Sequence, residues 1–310
     1  LLPQRAFFVL SVQFGAVHFL SKVVFLQKRL ASGRKTWYNR CNLKERSEIE
    51  TMVIYQAHKG VSSDYPENTM RAYRAAVREG YGIIECDPKY TKDGVIVLLH
   101  DRTVNRTGRN PDGSAIAEET KIADLTLAEA EKLDFGVWKA PEFAGEKLPT
   151  LARLLAFAEE IGIRLKIDNV WESFPPEMRD AMLKQPGNSH ANIGVTCKTP
   201  EDLRLVAETL PRAELHYDGG DLSAERIREI TEIARGRELT VWVCYDNAKT
   251  AWFKGTKADP EVCGRVKASA RLGIWILSKP EEAEKAIRVF DADIIETNGE
   301  LKPNDAIAKL

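Results

Sequence analysis

Short apolar runs alternate with helix-periodic segments from Thr51 to the C-terminus, and this constrains the fold of the 310-residue chain more than any other feature. The runs cover 52–57, 82–87, 95–100, 164–170, 192–197, 213–217, 239–245, 272–277 and 292–296. Most are continuous rather than alternating, as expected for parallel strands buried on both faces. The intervening segments are punctuated as helices. Asn68 or Thr69 can cap the first, Met70, Tyr73, Ala76 and Val77 share one face, and Gly80 ends it. Further helices are predicted over 151–160, 200–209, 223–235 and 280–290.

Thr91-Lys92-Asp93-Gly94 is a hairpin signal, because Asp-Gly supplies the positive φ of a tight turn. The run 95–100 is therefore predicted to fold back beside its predecessor, which leaves eight strands. Eight βα repeats in about 250 residues describe an α/β chain of the (β/α)8, or TIM, barrel class, with its active site at the C-terminal ends of the strands. His58, Glu85, Asp87, Asp168 and Glu296 all fall near such ends. An open doubly wound sheet is the rival, but no glycine-rich phosphate loop follows the first strand.

The first fifty residues read differently. Residues 6–26 are dense in Phe, Val and Leu but are interrupted by Ser11, Gln13, His18, Ser21 and Lys22. They fit neither a signal peptide nor a spanning helix. The reading is an N-terminal helical extension (1–50, ending in a polar linker from residue 32) ahead of a catalytic barrel domain (51–310). Its apolar face either covers the barrel bottom or makes peripheral membrane contact through 6–26. The charges nearly cancel, 45 Lys plus Arg against 46 Asp plus Glu, which argues against nucleic acid as a partner. Five cysteines with neither zinc spacing nor a disulfide framework favour a reducing, cytoplasmic location.

Chemistry concentrates between residues 57 and 101: Ala57-His58-Lys59-Gly60, Pro66-Glu67-Asn68-Thr69, Glu85-Cys86-Asp87 and Leu99-His100-Asp101. A hard divalent cation takes carboxylate oxygens, and ester cleavage needs a proton acceptor and a proton donor. Two carboxylates at alternate positions of one strand point to the same face and can share one ion. Two histidines bracket them. The pattern suggests metal-assisted hydrolysis of a phosphate ester.

In those residues the chain resembles the glycerophosphodiester phosphodiesterase family. That family's His-Arg-Gly stands here as His58-Lys59-Gly60. Its Pro-Glu-Asn-Thr is residues 66–69, its Glu-x-Asp is Glu85 and Asp87, and its Thr-Lys-Asp-Gly and His-Asp are residues 91–94 and 100–101. Leu148-Pro149-Thr150-Leu151, Val241-Trp242-Val243 and Ile294-Ile295-Glu296-Thr297-Asn298 continue the likeness.

The resemblance implies a small-molecule phosphodiester substrate, with one Mg2+ or Ca2+ held by Glu85, Asp87 and Asp168. The leading substrate is a glycerophosphodiester, split into an alcohol and glycerol 3-phosphate in lipid metabolism. His58 is expected to activate the attacking oxygen and His100 to protonate the departing alkoxide, with the reverse assignment left open. Lys59, Lys166 and Trp242 are candidate substrate contacts, and Glu67, Asn68 and Asp101 support the ligands and histidines from behind. The alternatives are lysophospholipids or sugar phosphodiesters, transfer or cyclisation instead of hydrolysis, and a barrel that binds without turnover.

Bland readings compete. Trp242 could equally be barrel packing, Lys198 could approach phosphate but reads more safely as a surface lysine, Glu67 as a helix-end charge and Asp101 as a turn cap. The chain also departs from the family pattern. Lys59 replaces an arginine, so a bidentate fork becomes a point charge. Lys166-Ile167-Asp168 reverses the charge order of the family's Glu-x-Lys, which places Val170 where the lysine is usual and makes Lys166 the substitute cation, sharing a face with 168 and 170. Residues 250–264, with Trp252, Phe253 and Lys254, read as an enlarged loop over the sixth barrel strand, suited to a specificity lid.

Overall fold

The computed structural model describes residues 53–303. The expected N-terminal extension and its membrane-facing or barrel-facing aromatic residues lie outside them. Among the described residues no helix is long and apolar enough to cross a membrane.

The chain opens with β1 (Ile54–Ala57), α1 (Met70–Arg78) and β2 (Ile83–Cys86), followed by an antiparallel hairpin of β3 (Pro88–Tyr90) and β4 (Ile96–Leu98). After a long excursion carrying the short helix α2 (Leu127–Ala130) come α3 (Leu151–Ile161), β5 (Arg164–Ile167), α4 (Val170–Ser173), α5 (Pro176–Asn188), β6 (Ile193–Cys197), α6 (Pro200–Thr209) and β7 (Glu214–Tyr217). The chain continues with α7 (Ala224–Ala234), β8 (Leu239–Cys244), α8 (Pro260–Lys267), β9 (Arg271–Trp275), α9 (Pro280–Arg288) and β10 (Ile294–Thr297). Eight strands close a parallel barrel in the order β1-β10-β9-β8-β7-β6-β5-β2. This is the expected (β/α)8 barrel, with the hairpin outside it.

Local chemistry explains the punctuation. Thr69 caps α1, accepting from the Ala72 N–H, and Gly94 takes φ 79° in the hairpin turn. Leu, Ile and Val side chains on the outward faces of the strands pack against the helix ring, as with Leu165, Val195, Leu215, Val241 and Leu272. That mantle is the principal core. Inside the barrel the composition changes. Ile83, Trp242, Cys244, Trp275 and Ile294 form a small apolar cluster, and around it lie the buried polar residues Gln56, Glu85, Lys166, His216 and Glu296. Gly273 leaves the space the Trp242 indole fills, since a Cβ there would stand 2.5 Å from the ring.

Two expectations need correction, and one feature is new. Strand β5 stops at Ile167, where Asn169 adopts φ 54° and Val170 begins α4 with its side chain buried in the outer core. Residue 170 therefore does not share the inward face of 166 and 168. The enlarged loop after β8 ends at Asp259, whose carboxylate caps α8, so 260–264 are helical. The excursion 99–149 has a core of its own, formed by Val97, Leu99, Val104, Ile122, Ala130, Phe135 and Leu148.

Candidate active site

The C-terminal ends of the strands open into a cavity of about 690 Å³, lined among others by His58, His100, Lys166, Asp168, Lys198 and Asp218. Successive inward positions of each strand point up the barrel. Glu85 and then Asp87 stand at the end of β2, Lys166 and Asp168 at the end of β5, and Glu296 on β10.

The turn after β1 is shaped for Glu85. Lys59 and Gly60 both take left-handed backbone, φ 60° and 76°, and the Lys59 N–H donates to Glu85 Oε2 at 2.7 Å. Gly60 is required on contact grounds too, because a Cβ would come within 2.7 Å of the Ala72 Cβ. Asp87 is held by amides. The Asn68 Nδ2 donates to its Oδ2 at 2.8 Å, and the Asn169 Nδ2 donates to its Oδ1. Asn68 is itself fixed, its Oδ1 accepting from the Tyr73 hydroxyl at 2.8 Å.

Both histidines are oriented through Nδ1. That of His58 lies 2.7 Å from Asn298 Oδ1, and that of His100 lies 2.7 Å from Asp101 Oδ1. Arg106 braces the second arrangement by donating to both Asp101, at 2.6 Å, and Glu67, at 2.7 and 2.9 Å. Lys59 Nζ stands 3.5 Å from Glu67 rather than in the cavity lining.

On the β5 side the carboxylates meet lysines. The Lys166 ammonium, nearly inaccessible, lies 3.1 Å from Asp168 and 3.3 Å from Glu296 and sits 4.3 Å above the Trp242 ring. Lys198 pairs with Asp218 at 3.0 Å, and the Trp275 Nε1 donates to the same carboxylate at 3.0 Å.

The titration of these groups follows from the arrangement. Burial, then the charges of Asp87, Asp168 and Glu296, push Glu85 well above the usual carboxylate range. Burial acts the same way on Asp87, but His100, Lys89, Lys59 and His58 outweigh it and leave Asp87 low. Asp168 is also low, since Lys166 and Lys198 overcome its burial. Lys166 is raised by Asp168 and Glu296 against its own desolvation. Burial lowers His58 below its ordinary value.

Donor chemistry at Glu85 and Asp87 fits a hard cation, and such an ion would offset the burial and the neighbouring negative charges that drive Glu85 upward. The third expected ligand differs. Among the described residues no three His, Cys, Asp or Glu side chains converge into a metal-holding group. Asp168 is engaged by the Lys166 ammonium and by the Asn169 N–H, whereas Glu85 and Asp87 are held by neutral N–H donors.

Of its two readings, Trp242 takes the packed one. It is 1% exposed and donates to His216 Nδ1 at 2.9 Å beneath Lys166, whereas Trp275, with Trp252 and Phe253, forms the aromatic wall of the cavity. Reading from the residues alone overlooked Asn298, Asn169, Arg106 and Asp218 and placed Lys198 on the surface. Lys198 and Asp218 were recoverable from the period of two, because each lies two residues beyond an inward-facing strand residue, Thr196 and His216.

Comparisons with known proteins bear on the family and the fold. The Glycerophosphoryl diester phosphodiesterase family model matches residues 58–259. A glycerophosphodiester phosphodiesterase of Caldanaerobacter subterraneus is 44% identical over 103 residues, 33% of this chain and 38% of that protein. The chain spans less than half the length of the curated relatives it matches. Two solved structures share the fold. A glycerophosphoryl diester phosphodiesterase from Parabacteroides distasonis has TM-score 0.64 at 22% identity, covering 83% of this chain and 87% of that one. An Oleispira antarctica phosphodiesterase in complex with the product sn-glycerol-3-phosphate has TM-score 0.61 at 20% identity, covering 80% and 94%.

Proposed function

The chain belongs to the Glycerophosphoryl diester phosphodiesterase family, and on that premise we propose that it hydrolyses glycerophosphodiesters to an alcohol and glycerol 3-phosphate. The observation that carries the proposal is that His58 and His100 line one cavity with Lys166 and Lys198. Two proton-transfer groups and two cations thus face the space a phosphodiester would fill.

The roles follow from the partners of each ring. His58, lowered by burial, is neutral at pH 7. With its Nδ1–H donated to the Asn298 amide oxygen, its free Nε2 accepts the proton of the attacking water. His100 is oriented by Asp101, which Arg106 holds in place, so its Nε2 delivers a proton to the departing alkoxide. Lys166 and Lys198 offer positive charge to the phosphoryl oxygens, each already partly satisfied by a carboxylate. Glu85 and Asp87 would hold a divalent cation, Mg2+ or Ca2+, which when bound neutralises charge on the phosphate.

A second reading is favoured by the aromatic wall. The Trp275 ring lies 5.1 Å from Phe253 and 6.1 Å from Trp252, and Trp252 is 69% exposed at the rim. The rings touch one another, which leaves an apolar shelf rather than an open cage around a cation. Such a shelf suits an acyl chain, so lysophospholipids are the alternative substrate. The test is alcohol release from glycerophosphocholine and from lysophosphatidylcholine, with Mg2+ or Ca2+, with chelator, and with His58→Ala. Equal release under all conditions would eliminate the mechanism, and a preference for the acylated substrate would select the second reading.

A further inference from the structure

Beside the catalytic cavity, and sharing only Glu172 with it, lies a second cavity of about 440 Å³ beneath the excursion that follows the hairpin. Its floor is aromatic: Tyr90 and Phe174 pack with ring centres 5.5 Å apart, and Trp171 lies alongside. Its wall carries four cations, Lys89, Arg102, Lys121 and Arg179. Among the described residues none of the four has a carboxylate within ion-pair distance, although most lysines and arginines around the barrel mouth have one.

Two of the four are fixed by the fold. Arg179 donates to the Phe174 and Trp171 carbonyls, both at 3.1 Å, and lies 5.4 Å over the Trp171 ring. Arg102 donates to the Glu172 carbonyl. Lys121 is exposed at the rim.

Lys89 decides the matter. It is 4% exposed, yet among the described residues its ammonium makes one hydrogen bond, to the neighbouring Pro88 carbonyl at 3.3 Å. Asp87, Glu85 and Asp101 attract it from farther off. A buried ammonium is costly unless hydrogen-bonded and paired, and solvating cations would be spread over open surface rather than drawn in above an aromatic floor. The size is that of a small-molecule site, apolar with a few convergent charges.

We propose that this cavity binds a single-chain amphiphile with an anionic head, a carboxylate or a phosphate monoester. The head meets the four cations and the chain lies on the Tyr90, Phe174 and Trp171 surface. This site is separate from the proposed hydrolytic one and stands whether or not that reading holds.

The test is calorimetric titration of the full chain with oleate, 1-oleoyl lysophosphatidate, inorganic phosphate and 1-oleoylglycerol, each below its aggregation threshold and with excess glycerol 3-phosphate present. Either anionic amphiphile is expected to bind at least about tenfold tighter than phosphate or 1-oleoylglycerol, and the better of the two identifies the head. Lys121→Glu, at an exposed position whose side chain makes no hydrogen bond or ion pair among the described residues, is expected to weaken that binding about tenfold, while Trp252→Ala on the catalytic wall leaves it unchanged. Arg102→Glu gives a second reversal if it retains a native melting profile. Equal binding of 1-oleoylglycerol, unchanged affinity in Lys121→Glu, or displacement by glycerol 3-phosphate would overturn the proposal.

Discussion

The two sides of the barrel mouth hold carboxylates by opposite means. At the ends of β1 and β2, Glu85 and Asp87 take N–H donors from the Lys59 backbone, Asn68 and Asn169. On β5 and β10, the strands that flank β2 and β1, and on β7, the carboxylates of Asp168, Glu296 and Asp218 each face a lysine. A neutral donor fixes a carboxylate without cancelling its charge, whereas an ammonium cancels it. The β2 side is thus built to attract a cation, and the β5–β7 side is already balanced and presents its lysines to an anion.

The largest effect that probes this comparison is on turnover. His58→Ala or His100→Ala is expected to reduce kcat on the accepted phosphodiester by about 10²- to 10⁴-fold, the usual worth of a positioned acid or base. A tenfold loss or less in both would remove the histidines from the chemistry.

Next in size is the buried charge on the β5 side. Lys166→Met leaves Asp168 and Glu296 without their ammonium and is expected to destabilise the fold by about 3–5 kcal/mol, measured by denaturant unfolding. An unchanged midpoint would show that water or a proton replaces the lysine without cost.

The sharpest test of the contrast is cation binding. Asp87→Asn is expected to weaken Mg2+ or Ca2+ binding by at least about tenfold in calorimetry, and Asp168→Asn to change it far less. Equal losses would place Asp168 among the ligands and dissolve the distinction between the two sides. Asn68→Ala, which strips a buried carboxylate of one donor, is expected to cost about 1–3 kcal/mol of stability.

The smallest expected effect is on pH. His58 and His216 are both lowered by burial, so below their ordinary value of 6.5 the unfolded chain takes up protons that the folded chain refuses. Stability is therefore expected to fall as pH drops from 6.5 towards the depressed folded values and to be flat above 6.5 in this respect. His58→Gln should shallow that slope in acid denaturation profiles, and an unaltered slope would place the proton uptake elsewhere.

Much of this was legible because strands and turns are local. The outward apolar residues of β6 and β8, the Asp93-Gly94 turn and the Thr69 cap all announce themselves within a few residues. The pairing of Glu85 with Asp87 was legible for the same reason, since alternate residues share a face. Trp242 was left between two readings because one indole can serve as core or as cavity wall, and only Gly273, 31 positions along the chain, makes the buried place available. Asn298 and Arg106 were overlooked because their partners, His58 and Glu67, are distant in sequence.

The amino-acid order by itself determined the βα alternation, the number of barrel strands and the same-face pairs such as Glu85 with Asp87, because periodicity and turn propensity act over a few residues. Tertiary structure alone decided which inward carboxylates face amides and which face lysines. That choice depends on closure of β1 against β10 and of β2 against β5, which brings Lys166 to Glu296 across 130 residues. Electrostatic pairing acts through space, and a linear pattern carries charges but not the distances between them.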